Sequence, residues 1–245
     1  MQKELIFFGR GGAFSKSKNY NSAYFETDDS FVIIDCPMTT TEKLLEMDLN
    51  NKKPYILVTH THSDHIGGIG MLAFACKFRK NIKINLVVPS QEILDNLKTY
   101  LKIEGVKEEL YNICRADELD KEFLVKAIKT DHVEDFDSFG YQLNVNGVNV
   151  IYTGDTNTLE PFLPYLSEGS RLYTEIATNK NLVHLYFEDA KETIEELVKN
   201  GVKVYFMHLA DEEEARKLAK SINDGRGVEL APLISDGKKI IMSRK

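Results

Sequence analysis

Six positions, His60 to His65 in the stretch VTHTHSDHIGG, hold three of the chain's six histidines and an aspartate. Imidazoles and carboxylates are side chains that hold divalent cations, and three rings this close would repel one another if all were protonated. The spacing adds to what the residue types say. In extended backbone, residues i and i+2 point the same way, so His60 and His62 aim at one point. Asp64 and His65, in the turn that follows, reach a second point close by. A solvated polar loop is the ordinary reading of a lone histidine, but HxHxDH at a strand end reads as a metal-binding motif.

The other three histidines and one aspartate stand in comparable places. His132 follows the apolar run Phe123 to Ile128, His208 ends Val204 to Met207, and Asp155 follows Val150-Ile151-Tyr152 in TGDT. His184 lies in a loop ahead of an amphipathic segment that begins at Phe187. Taken singly, each is an ordinary loop or core residue. Together they would complete two metal sites: His60, His62 and His132 at one, Asp64, His65 and His208 at the other, with Asp155 bridging. Three protein ligands per ion and a shared carboxylate leave the open position that a catalytic site needs. Zinc is the first expectation for so imidazole-rich a set, with manganese and iron as alternatives.

These groups need strand ends to carry them. Tyr55-Ile56-Leu57-Val58 is a continuous apolar run behind Pro54 and reads as a short buried strand, so the histidines begin where it stops. Gly67 and Gly68 are expected to allow a tight bend before a helical pattern from Ile69 to Phe78. Further strands are expected at Leu5 to Phe8, Ser22 to Glu26, Phe31 to Asp35, Ile84 to Val88, Phe123 to Ile128, Leu172 to Ile176 and Val202 to Met207. A hairpin joins Gly140 to Asn144 with Val148 to Tyr152 across Asn146-Gly147, and Ile240 and Ile241 would close a last short strand. Helices are expected at Thr39 to Met47, Ser90 to Ile103, Phe187 to Lys199 and Glu212 to Asn223. No repeat or linker breaks this pattern, so residues 1–245 are expected to form one domain. Two β-rich halves interleaved with helices predict an α/β fold, a four-layer αββα sandwich with its sheets inside.

Composition narrows the function. The 245 residues are 42% hydrophobic and carry a formal net charge of -7, which disfavours an extensive nucleic-acid surface. Cys36, Cys76 and Cys114 have no CxxC spacing and read as reduced, mostly buried thiols. The apolar run near the start is too short for a signal-peptide core and no stretch approaches a membrane span, so a cytoplasmic protein is expected.

At this point the chain resembles the metallo-β-lactamase superfamily over nearly its whole length. The resemblance is carried by VIIDCP, HTHSDH, TDHVEDFDSFGY, TGDT and VYFMHL, in that order. Within the superfamily it is similar to the ribonuclease Z branch, whose members carry a late strand ending in Glu-Ala-Thr followed by a histidine loop and a helix. Those pieces read here as YTEIAT, with Ile176 inserted, and LVHLYFEDA. The resemblance implies two divalent ions and a catalytic carboxylate and histidine at Glu175 and His184; a structural ion pair is the plainer alternative. It also implies that Asp64 doubles as ligand and proton acceptor. Asp35 would be a buried aspartate bracing the histidine loop, unless it is simply a turn residue before Pro37.

Ribonuclease Z enzymes acting on tRNA carry a protruding Gly/Pro-rich basic arm, and no such insert is found here. A small phosphodiester or nucleotide substrate is therefore expected, with a cyclic mononucleotide first, as in the anti-Pycsar enzymes of this branch. tRNA 3′-processing and thioester or lactone hydrolysis are the alternatives. Enzymes of this type are often homodimers, and a homodimer is expected here. The loop from Gly9 to Ser22 offers Arg10, Lys16 and Lys18 to phosphate, and Phe14, Tyr20, Asn21 and Ser22 as further substrate contacts. Equally, it would be an ordinary glycine loop, or one that covers a partner subunit.

Overall fold

A computed structural model describes residues 2–15, 19–47, 49 and 51–234. Its first sheet contains β1 (Ile6–Gly9), β2 (Ser22–Glu26), β3 (Ser30–Ile34), β4 (Lys53–Leu57), β5 (Ile84–Val88) and β6 (Tyr111–Arg115), adjacent in that order. The first three strands run antiparallel and β3 to β6 run parallel. The parallel crossovers hold α1 (Met38–Glu46), the single-turn α2 (Ser63–Ile66), α3 (Ile69–Lys80) and α4 (Gln91–Ile103). The second sheet contains β7 (Leu124–Lys129), β8 (Phe139–Val145), β9 (Val148–Tyr152), β10 (Arg171–Glu175), β11 (Lys203–Met207) and β12 (Val228–Leu230), again side by side. Here β7 to β9 are antiparallel and β9 to β12 parallel, with α5 (Phe187–Lys199) and α6 (Glu212–Ser221) in the last two crossovers.

The period of two along each strand generates the layers. On β3, Phe31 and Ile33 pack with Leu44, Leu72 and Leu97 of the helices, whereas Val32 and Ile34 pack with Tyr141, Tyr152 and Tyr173 of the other sheet. On the second sheet, Ile151, Leu172 and Phe206 turn outward to meet Ile194 and Ala215 of α5 and α6. The order is therefore helix, sheet, sheet, helix, as the alternation of patterns predicts. Aromatic rings fill the seam: Tyr173 stacks on Phe7 at 5.6 Å and on Tyr205 at 4.7 Å. Each buried hydroxyl in that seam needs a partner. Tyr173 Oη accepts from the Leu5 N–H, and Tyr141 Oη donates to the Val58 carbonyl.

Local departures from expectation have local causes. β6 reads YNICR, a half-exposed edge strand, and β12 is three residues long, so neither gives an apolar run. α6 stops at Ser221 because Ile222 is extended and Asp224 is left-handed. The hairpin falls where Asn146-Gly147 predicts, with both residues at positive φ. The strand expected at Ile240 and Ile241 lies outside the described residues, as do Lys16 and Lys18. Among the described residues, no helix is long and apolar enough to cross a membrane.

Candidate metal centre

Parallel pairing fixes where the centre forms. Ile34 pairs with Leu57 across β3 and β4, while Tyr173 pairs with both Tyr152 and Tyr205 across β9, β10 and β11. Parallel strands in such register present their C-terminal ends together. Asp35, His60, Asp155, Glu175 and His208 therefore stand at or just beyond strand ends on one edge of the sandwich, where the two sheets meet.

Asp155 occupies the middle. Its Oδ2 lies 4.0 Å from His60 Nε2, 3.6 Å from His65 Nε2, 3.8 Å from His132 Nε2 and 3.4 Å from His208 Nε2. Asp64 Oδ2 is 3.5 Å from both His65 Nε2 and His208 Nε2, and His60 Nε2 is 3.0 Å from His62 Nδ1. The structure thus brings together His60, His62 and His132 as one donor group and Asp64, His65 and His208 as another, with Asp155 between them. His65 Nε2, His132 Nε2, His208 Nε2 and Asp155 Oδ1 are buried without a hydrogen-bond partner. Buried polar atoms are normally satisfied, and a divalent cation supplies what this set lacks.

The rings are aimed from behind. Asp35 is fully buried; its Oδ1 accepts from the Thr59 N–H and its Oδ2 from the Thr59 hydroxyl and His65 Nδ1, all at 2.8 Å. Because the Thr59 hydroxyl donates to Asp35, its oxygen is left to accept from His60 Nδ1 at 3.0 Å. His132 Nδ1 donates to the Val183 carbonyl at 2.8 Å. Each of these three rings keeps its Nε2 for the cluster, the arrangement that fixes a ligating tautomer. Thr59, the Val183 carbonyl and Phe136, whose ring stacks on His62 at 4.6 Å, escaped the sequence reading. The only local signal for Thr59 was a hydroxyl beside His60.

Charge follows from this packing. Burial pushes His60, His62 and His132 below the ordinary imidazole range. Burial acts the same way on His65 and His208, but the carboxylates, Asp155 foremost, outweigh it and raise both. Conversely, burial pushes Asp64 and Asp155 up, and His208 and His65 overcome it, holding both below the usual carboxylate range.

Glu175 and His184 flank the cluster. His184 Nδ1 lies 2.7 Å from Glu175 Oε2, and Glu175 Oε1 accepts from the Thr156 N–H at 2.6 Å. Burial, then the neighbouring Asp155 charge, pushes the Glu175 carboxyl up. His184, with a side chain 31% exposed, faces a cavity of about 450 Å³. That cavity is also lined by Asp64, His208, Phe14, Ile176 and Val183.

Four of the described loop residues expected to touch phosphate or substrate do not line this cavity, and Arg10 among them is buried with its guanidinium paired to Glu212. Phe14 does, and is 99% exposed. Tyr20 lies elsewhere, its N–H donating to Thr39 Oγ1, and Asn21 and Ser22 are buried with their side chains bonded inside the protein. Gly67 and Gly68 make the expected turn between α2 and α3, but without a backbone that only glycine can adopt. Both have negative φ, at -60° and -101°. Gly68 is small for want of room: a Cβ there would lie 2.3 Å from Thr41 Oγ1 and 2.5 Å from the Pro37 carbonyl.

Two facing mixed sheets, helices outside and a His/Asp cluster on the shared edge define the metallo-β-lactamase fold. The metallo-β-lactamase fold protein YhfI from Bacillus subtilis superposes with a TM-score of 0.74, at 19% identity, covering 93% of this chain and 95% of that one. A diphosphatase from the PhnP family gives 0.68 at 18% identity, covering 93% and 94%. The short form of human tRNase Z gives 0.66 at 17%, covering 93% and 96%. Within that fold the chain belongs to the family described as Anti-Pycsar protein Apyc1, whose model matches residues 3–225. Among its relatives, the anti-Pycsar protein Apyc1 of Bacillus phage 010DV004 is 27% identical over 235 residues, covering 86% of this chain and 90% of the relative. That of Paenibacillus sp. (strain J14) is 32% identical over 178 residues, covering 66% and 70%.

Proposed function

We propose that this protein is a divalent-metal phosphodiesterase that hydrolyses a cyclic mononucleotide. The observation that carries this reading is the Glu175–His184 pair, 2.7 Å apart, at the boundary between the donor cluster and the cavity. Membership of the anti-Pycsar family supports the substrate class, since the sequence resemblance implies cyclic-nucleotide cleavage. A cavity of about 450 Å³ suits a small ligand, and the net charge of -7 disfavours a polyanion such as tRNA.

Two ions, zinc by preference, held by His60, His62, His132 and Asp155 and by Asp64, His65, His208 and Asp155, would activate water and neutralise charge developing on the phosphoryl oxygens. The chain's own groups do the rest. Asp64, which lines the cavity, is placed to accept a proton from the attacking water. His184, with Nδ1 2.7 Å from Glu175 Oε2, offers Nε2 to the leaving oxygen as a general acid. Glu175 orients that ring and is itself anchored by Thr156. The nearness of His184 to His132 and Asp155 would also allow it to ligate an ion, and the same variant separates these roles.

The test pairs a substrate panel with one substitution. Zinc-loaded protein is offered cyclic mononucleotides, bis-p-nitrophenyl phosphate, a tRNA precursor, a thioester and a lactone. Turnover of cyclic nucleotides without tRNA trimming is expected. His184→Ala should retain its metal while losing roughly a hundredfold in rate on cyclic nucleotides, the scale of a general acid. The loss should shrink for p-nitrophenolate, which departs without a proton. Metal release by His184→Ala, or equal slowing of both substrates, refutes the acid role, and turnover confined to the thioester, lactone or tRNA refutes the substrate class.

A further inference from the structure

Asn21 and Ser22, neighbours at the entrance to β2, bond to backbone on opposite sides of the seam between the sheets. The Ser22 hydroxyl donates to the Asp35 carbonyl at 2.7 Å. Asn21 Oδ1 accepts from the His208 N–H at 3.2 Å, while its Nδ2 donates to Tyr152 Oη at 2.7 Å. The amide can face only this way, because a backbone N–H only donates.

Both gripped residues take a left-handed backbone. Asp35 has φ +57° and His208 φ +51°, a region that residues other than glycine seldom occupy and in which Asp and His are among the better-tolerated side chains. Such turns persist where their surroundings over-determine them. Each also aims the cluster. Asp35 orients His65 directly and His60 through Thr59, and His208 lies 3.4 Å from Asp155 and 3.5 Å from Asp64. Tyr152 ends the strand that leads into Asp155. Asn21 and Ser22 are themselves 1% and 0% exposed, so substrate contact is not their task.

We infer that Asn21 and Ser22 are positioning residues that hold the two left-handed turns, and with them the two halves of the metal centre, in register across the sheet seam. This rests on the metal-site reading and is independent of which ester is cleaved.

Zinc affinity measured by competition with a chromophoric chelator, beside thermal melting of the chelator-treated proteins, tests it. Ser22→Ala should weaken both zinc ions by up to about tenfold, the low end of the cost of losing an outer partner of a ligand, because Ser22 acts one bond behind Asp35 and Asp35 serves both halves. Asn21→Ala should weaken mainly the ion at Asp64, His65 and His208. Asn21→Asp keeps an acceptor for His208, and the Tyr152 hydroxyl can turn to donate to it, so affinity should return to near wild type. Ser22→Ala removes a single oxygen and carries the test alone if Asn21→Ala does not fold. Folded variants that melt lower yet bind zinc as wild type does would overturn the positioning role. Failure of the wild type itself to take up two zinc ions would instead overturn the metal-site reading.

Discussion

Replacing Asp35 should cost more than any other single loss behind the donor cluster. Its carboxylate accepts three hydrogen bonds at 2.8 Å in a fully buried position. In Asp35→Ala the Thr59 hydroxyl can donate to His60 Nδ1 only if that ring gives up its ligating tautomer, and the Thr59 N–H and His65 Nδ1 lose their acceptor. Thr59 Oγ1, 3.5 Å from His65 Nδ1, is a poor substitute. Two orphaned donors at about 1–3 kcal/mol each cost about 2–6 kcal/mol. Alanine at φ +57° adds about 1–2 kcal/mol, for a total of about 3–8 kcal/mol against the 5–15 kcal/mol that typically stabilises a domain. Asp35→Asn keeps one acceptor and tolerates the left-handed turn, so it should lose about 1–3 kcal/mol. At about 2–4 °C per kcal/mol for a chain of this size, the Asn variant should melt about 2–12 °C below wild type, and the Ala variant further still or not fold at all. Calorimetry of metal-loaded and chelator-treated protein reads the effect. An Asp35→Ala protein melting within 2 °C of wild type, with its metal retained, would show that these bonds do not support the histidine loop.

Two further outcomes follow from packing and charge. Gly68→Ala should lower the melting temperature by about 2–12 °C, because overpacking costs about 1–3 kcal/mol. Its negative φ would otherwise let alanine stabilise the fold by about 0.4–1 kcal/mol through the unfolded chain, so an unchanged or higher melting temperature would refute the close approach to Thr41 and Pro37. At the surface, the hydrogen bond from Lys121 holds the Asp29 carboxyl down at about 2. A depressed carboxyl stabilises the fold above its unfolded pKa near 3.8 and loses that contribution as pH falls toward 2. Lys121→Met should therefore cost less than about 1 kcal/mol at pH 7, as for an exposed pair, with urea midpoints converging on wild type between pH 4 and pH 2. A gap that widens on acidification would contradict this sign.

The donor residues were legible because type and spacing are local properties. HxHxDH lies within six positions, and His132, Asp155 and His208 each follow an apolar run whose length marks a strand end. Parallel pairing then converts strand ends, wherever they fall in sequence, into neighbours. What no local window carries is the partner behind the donor. Asn21 and His208 are 187 positions apart and touch only because β2 and β11 meet at the same edge of facing sheets. The same limit misread Gly68: its sequence context beside a turn suggests conformational freedom, while the distances to Thr41 and Pro37 show a demand for space. Asn21 and Ser22 were misread for a related reason, since a polar pair beside a glycine loop looks like a ligand contact until its burial is known. A metal centre on such an edge has ligands fixed by strand ends and an alignment fixed by long-range bonds between the sheets. On the positioning role proposed for Asn21 and Ser22, its donor set could stay intact in sequence while a change at either residue, far from any motif, would alter how tightly it holds an ion.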